Sequence, residues 1–200
     1  ILLYVATILI WGSTWYPIKL SLGVVAPEVS VIYRLGIASV ILFGWCWVRH
    51  LPMRFTLKQH GFIALFGLLL YGVDLTLLYE GSAHLTSGLV AIVFSTIVIM
   101  NIVNNLVIFG NRPDARTVFG AMIGVSGLCT AFWPELTAFD LGSSWTLGFV
   151  IVLGAALAGS FGNMTSIRNQ KDGIPVTQAN AYAMAYGTLF LTVYALAKGS

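Results

Sequence analysis

The sequence predicts an all-α integral membrane protein, a multi-helix bundle built from inverted five-helix repeats. The chain is 58% hydrophobic and 8% charged, against roughly 25% charged residues in a soluble domain, and its mean hydropathy is +0.90. Its apolar residues fall into seven runs, each near the roughly 20 residues that cross a bilayer. Features of the first two runs return in the sixth and seventh.

The first run, residues 1–22, contains Trp11-Gly12-Ser13-Thr14-Trp15-Tyr16-Pro17-Ile18-Lys19. Gly12 and Pro17 loosen a helix there, and hydrocarbon tolerates such a break only where protein or a wet cavity surrounds it. A polar path is therefore expected beside this helix. A short turn at 23–27 leads to the second run, 28–48, which Pro27 opens. The polar loop 49–60 precedes the third run, 61–79. The fourth, 86–109, carries Asn101, Asn104 and Asn105 at i, i+3 and i+4, one polar stripe on an apolar helix. The fifth run, 117–133, and the sixth, 145–167, contain Gly120, Gly124 and Gly127, and Gly154, Ala158, Gly159 and Gly162. Small residues at that spacing let helix backbones approach closely. The seventh run is 175–196, and no stretch is left over for a soluble domain.

Charge assigns the sides, because Lys and Arg accumulate in cytoplasmic loops. One set of alternate loops holds Arg49, Arg54, Lys58, Arg112, Arg116, Arg168 and Lys171, whereas the other holds Lys19 and Lys198 with Glu28, Glu80, Glu135 and Asp140. Seven basic residues against two place the start of the first helix in the cytoplasm. A multi-pass protein of the cytoplasmic (inner) membrane is expected. Trp45, Trp47, Trp133 and Trp145 fall at run ends and fit an interfacial aromatic belt. Cys46 and Cys129 fall at opposite faces and are not expected to pair. The net charge of +3 is loop charge rather than a nucleic-acid footprint, since no basic patch interleaves with exposed aromatics.

The repeat signal organises the whole chain. Gly12-Ser13 returns as Gly159-Ser160 at an offset of 147, and Pro27 returns as Pro175 at an offset of 148. Five runs fit one period, and five is odd, so the second unit must lie inverted. The turn after the first run lies on the Glu-bearing side, whereas its counterpart, 168–173, is basic. Inverted repeats are a recurrent plan of secondary transporters, with the solute near the midplane between them. Residues 1–134 make one complete repeat and 145–200 the start of a second, so ten helices are expected in the full-length protein and about seven here.

The residues also carry a family resemblance. WGSTWYPIKLSLGVVAPEVSVIYRLGIASVIL resembles the opening of the EamA repeat of the drug/metabolite transporter superfamily, and YEGSAHLTSGLVAIVFST and GNRPDARTVFGAMIGVSGL resemble its passages into the fourth and fifth helices. AGSFGNMTSIRNQKDGIPVTQANAYAMAYGTLFL is similar to the start of the second repeat. The resemblance implies a ten-helix carrier of small organic solutes, often outward, with both termini cytoplasmic. Asn111 and Val98 depart from it, standing where the family commonly has Glu and Pro.

Depth identifies the chemistry. Arg34 and Asp74 each fall roughly 10 Å below the outer edge of a 30 Å core. A charge there is costly, so each should face the bundle interior or water. They either form a fixed ion pair between the second and third helices, or serve transport, Arg34 by meeting an anionic group of the solute and Asp74 by carrying a coupling proton. Snorkelling toward the headgroups is a further reading for Arg34 and the favoured one for Lys19. The asparagine stripe reads as interhelical glue or as cavity lining, with Asn101 the deepest. Trp15, Tyr16, Tyr79, Ser160 and Asn163 complete the candidate substrate-binding set.

Enzyme chemistry finds no footing. The zinc-protease, nucleophile-elbow and phosphate-loop patterns are missing from the sequence, and His50, His60 and His84 fall in or beside loops, where they should be solvated. No cofactor or metal is expected. The partners implied are the lipid bilayer, a small-molecule solute and a coupling proton, with no nucleic acid. A secondary active transporter moving a small organic metabolite, an amino acid or drug-like amphiphile, by alternating access fits best, and export is the expected direction. A seven-helix receptor and a passive channel are the alternatives.

Overall fold

The computed structural model describes residues 5, 6, 9, 27–138 and 144–199. These form helices α1 (Pro27–Val48), α2 (Leu57–Gly67), α3 (Asp74–Ser82), α4 (Ser87–Phe109), α5 (Ala115–Ala131), the short α6 (Trp133–Thr137), α7 (Ser144–Lys171) and α8 (Val176–Lys198). A π-helical turn, Leu68–Val73, joins α2 to α3 as one continuous rod. Among the described residues there is no strand.

Among the described residues, four spans are long and apolar enough to cross a membrane: Glu28–Val48, Leu57–Ser82, Ser87–Phe109 and Trp145–Lys171. The second, third, fourth and sixth predicted runs correspond to them. The fifth run is the shorter α5, of 17 residues. The seventh is α8, whose first turns carry Thr177, Gln178 and Asn180 and make it less apolar. The first run falls almost wholly outside the described residues, and Trp15, Tyr16 and Lys19 with it.

Local chemistry sets the helix ends. Thr56 closes a capping box at the start of α2, with the Thr56 N–H donating to Gln59 Oε1 at 2.9 Å and the Gln59 N–H donating to Thr56 Oγ1 at 3.3 Å. Thr86 caps α4 through the Leu89 N–H. Gly110 ends α4 at φ 69°, a left-handed conformation that glycine adopts without a Cβ penalty. Pro175 opens α8, where a missing N–H costs the helix nothing.

The α2–α3 rod lies between α7 and α8, while α1 packs along α8 and α4 along α7. Val31, Leu35 and Ser39 make an inward stripe on α1, with Ser39 Oγ donating to the Ala181 carbonyl at 2.8 Å. The opposite face carries Tyr33, Ile37 and Val40, all exposed, as a lipid-facing surface requires. Glu28, Glu80 and Lys198 come together at one end of the bundle, and Arg168 and Lys171 lie against Phe62 and Phe109 at the other. These are the acidic and basic ends below.

Glycine decides how closely the rods approach. A Cβ at Gly67 would collide with the Ala183 carbonyl, and one at Gly162 would come within 3.0 Å of the Leu70 backbone nitrogen. The stripe on α5 behaves otherwise: Cβ atoms built at Gly120, Gly124 and Gly127 meet nothing within 4 Å. The expected close contact at this second stripe is thus not made among the described residues, where α5 leans on α4 and α6 through other positions. Gly67→Val should lower the apparent Tm of the full-length protein by overpacking worth about 1–3 kcal/mol. Gly120→Val should leave it within the change of about 0.5 kcal/mol usual for open sites. A scanning fluorescence melt in detergent checks both, and equal losses would contradict the packing assigned to α8.

Candidate functional site

The chemistry gathers where α3, α4 and α7 meet. The π-helical turn ends at Asp74, the first residue of α3, which is 5% exposed. Its Oδ2 lies where a Cβ on Gly159 would come within 2.8 Å, so the carboxyl rests on a backbone stripped of side chain. Its Oδ1 is buried and has no hydrogen-bond partner among the described residues. A π-bulge shifts the register of a helix by one residue and often marks a functional position. Here it aims a carboxylate at α7.

The neighbouring polar groups come from α4 and α7. Asn104 Nδ2 donates to Ser160 Oγ at 2.8 Å, and Asn163 Nδ2 donates to Asn101 Oδ1 at 3.3 Å. Ser160 is fully buried. Ile97, one turn before Asn101, closes on Gly159 from the α4 side. The asparagine stripe thus divides, with two members on α7 while Asn105 Oδ1 accepts from Asn111 Nδ2 at 3.0 Å. Asn111 reaches back past the Gly110 cap to make that bond. One turn before Asp74, the Tyr71 hydroxyl donates to Asn180 Oδ1 at 2.8 Å and ties the rod to α8.

Arg34 belongs elsewhere. It is exposed and forms no ion pair with Asp74 among the described residues. The reason is helical phase: Val31 and Leu35 turn toward α8, and Arg34 precedes Leu35 by about 100° of rotation. The expectation of a fixed Arg34–Asp74 pair is therefore corrected. Tyr79 lies nearer the acidic end, in a cavity of about 380 Å³ that Leu75, Thr76 and Leu191 also line. Of the sequence-derived candidates, Asp74, Ser160, Asn101 and Asn163 converge, whereas Arg34 and Tyr79 lie apart, and Trp15 and Tyr16 are outside the described residues.

The histidine expectation also needs correction at one position. His60 is half-buried, with Nδ1 at 3.0 Å from the Tyr186 hydroxyl and its ring edge-on to Phe55 and Tyr182. His60 lies on the face of α2 that meets Tyr182 and Tyr186 of α8, which loop position alone does not reveal. Among the described residues no group of three His, Cys, Asp or Glu side chains could hold a metal ion. Both cysteines are free.

The model of the EamA-like transporter family matches residues 1–133. Protein PagO of Salmonella typhimurium is 22% identical over 156 residues, covering 78% of this chain and 51% of that protein. The uncharacterized transporter YoaV of Bacillus subtilis is 26% identical over 191 residues, 95% of this chain and 64% of that protein. An uncharacterized transporter of Buchnera aphidicola is 22% identical over 100 residues, half of this chain and 33% of the relative. The chain thus spans between about half and two thirds of the length of the first two relatives. No solved structure matches it. With two thirds of its residues under the family model, this membrane chain belongs to the EamA-like transporter family.

Proposed function

We propose that the chain is the first repeat, residues 1–134, and the opening of an inverted second repeat, residues 145–200, of a secondary carrier. It moves a small organic metabolite, an amino acid or drug-like amphiphile, by alternating access across the cytoplasmic membrane, in the direction of export. The observation that carries this reading is Asp74: a buried carboxylate with one oxygen unpartnered, set against Gly159 beside the Asn101–Asn163 and Asn104–Ser160 bonds. A lone ionised carboxylate cannot be held in an apolar interior, so it takes either a proton or a cationic group of the solute. That exchange is the coupling step we assign to it. Asn101, Asn104, Ser160 and Asn163 supply the amide and hydroxyl groups that orient the solute.

The packing of α1 on α8 supports the repeat assignment. Glu28 at the start of α1 meets Lys198 at the end of α8, Gly36 faces Thr188 near both midpoints, and Phe43 meets Tyr182 near the start of α8. The two helices thus run antiparallel along their lengths, each end of one meeting the opposite end of the other, as a twofold relation between two repeats would require. The loop charges support a cytoplasmic position for the basic end.

Full-length protein in proteoliposomes should give saturable flux with counterflow, driven by an imposed proton gradient. Ohmic, unsaturable flux would favour the channel reading instead. Asp74→Asn, which keeps shape and removes the charge, should cut the gradient-driven rate at least about tenfold, equivalent to about 1.4 kcal/mol, with an unchanged apparent Tm. A wild-type rate in that variant sinks the role given to Asp74.

Gly159→Ala tests the placement of that carboxyl separately. Its methyl would press on Asp74 Oδ2 at 2.8 Å and on Ile97 at 3.0 Å. Transport should fall by a similar factor, whereas Asn105→Ala, on the far side of the stripe, should leave it within about twofold. Equal effects of the two would count against the α3–α4–α7 junction as the site.

A further inference from the structure

The acidic end carries a strap of charged groups that ties three helices together. Lys198 Nζ, near the end of α8, lies 2.5 Å from Glu28 Oε1 at the start of α1 and 3.8 Å from Glu80 Oε1 near the end of α3. The Tyr194 hydroxyl, one turn before Lys198, donates to the same Glu80 oxygen at 2.5 Å. Glu28, Glu80 and Lys198 line the cavity of about 380 Å³ that Leu75 and Thr76, the residues directly after Asp74, also line. The strap therefore borders a cavity whose wall continues the helical turn that carries the carboxylate.

The opposite end is held by a different kind of contact. Phe43, Phe55, His60, Tyr182 and Tyr186 pack ring against ring, and the Tyr182 hydroxyl donates to the Met53 carbonyl at 3.0 Å. Separating those rings would expose apolar surface, which is costly wherever it is rewetted. Lys198 and Glu80 are already 46% and 40% exposed, so water replaces their pairing with small loss, and although Glu28 is 11% exposed its partner Lys198 is open to water. Of the two ends, the acidic one is the cheaper to open.

We propose that Glu28, Glu80, Tyr194 and Lys198 form a latch that holds the acidic mouth closed, and that the aromatic cluster is the pivot about which it opens. Glu28 and Glu80 belong to the first proposed repeat and Tyr194 and Lys198 to the second, so the latch spans the surface along which the repeats must move. A solute carrying an ammonium group competes with Lys198 for both carboxylates and releases it. The latch rests on the carrier reading, but opening can be read without any solute, so its failure leaves that reading standing.

The test uses full-length protein in detergent, with Cys46 and Cys129 replaced by Ser. A single cysteine at Thr76→Cys, inside the acidic mouth, is labelled with a hydrophilic maleimide. Lys198→Gln should speed labelling about two- to fivefold, the shift expected from losing an exposed ion pair, while Lys198→Arg keeps the slow rate. A cysteine at Leu51→Cys, in the cavity at the basic end, should react at the same rate in all three backgrounds. An unchanged rate at Thr76→Cys on loss of Lys198 overturns the latch. So does an equal rise at Leu51→Cys, which would mean general loosening.

Discussion

The structure depends on how closely α7 approaches the α2–α3 rod. The approach follows a track of residues without side chains: Gly81 faces Gly148, Gly159 faces Asp74 and Gly162 faces Leu70. Lipid tails are as apolar as Leu, so in a bilayer such contacts rest on dispersion and hydrogen bonding rather than on exclusion of water. Each glycine brings two backbones together and so leaves little room nearby for anything but small polar groups. Ser160 and Asn163 occupy the next positions along α7 and turn to α4. The same track that packs the helices thereby sets the depth at which polarity gathers.

Hydrogen bonding and charge play different parts at that junction. The Asn104–Ser160 and Asn163–Asn101 bonds satisfy their groups and contribute about 0.6 kcal/mol each, up to 1–2. That is enough to fix α4 on α7 but not enough to resist a competing solute amide. Asp74 is less well provided for, because among the described residues its Oδ1 has no partner and the elements around it offer no cation at that depth. α4 carries no charged residue, α7 has Arg168 and Lys171 only near its basic end, and α8 has Lys198 only at its acidic end. Arg34 on α1 faces outward. Glue and site are therefore compatible readings of the asparagine stripe: the bonds hold the junction together, and the carboxylate beside them is the group to which we assign the coupling step.

Much of this was legible in the sequence because a bilayer restricts what a chain can do. Length and hydropathy placed the second, third, fourth and sixth runs to within a few residues, and the depth argument singled out Asp74 and Asn101. What depth could not supply was rotation. Arg34 and Asp74 share a level, yet one faces outward and the other inward, and an apolar helix with a weak polar stripe gives little indication of phase. The π-helical turn compounds the problem, since it moves every residue after Leu68 by about one position around the helix. His60 escaped notice for a similar reason: its surroundings, Phe55, Tyr182 and Tyr186, come from segments more than a hundred residues apart. The Gly120 stripe shows the opposite failure, in which a packing motif is present but no described residue packs against it.

The pairing of α1 with α8 links the repeat to the proposed mechanism. Two antiparallel helices in contact along their lengths can rock about their central contacts, Ser39 with Ala181 and Gly36 with Thr188, while these persist. Motion is then largest at the two ends, where Glu28 meets Lys198 and Phe43 meets Tyr182. Because those ends differ in chemistry, one exchanging ions with water and the other burying rings, the rocking cannot be energetically symmetric even if the backbone is. Asp74 lies between them, on the rod that Tyr71 ties to α8 through Asn180. In the proposed carrier, a change in what neutralises this carboxylate would alter its fit against Gly159 and hence the seating of the rod between α7 and α8. That would be the physical route by which occupancy of the polar junction biases which end is open.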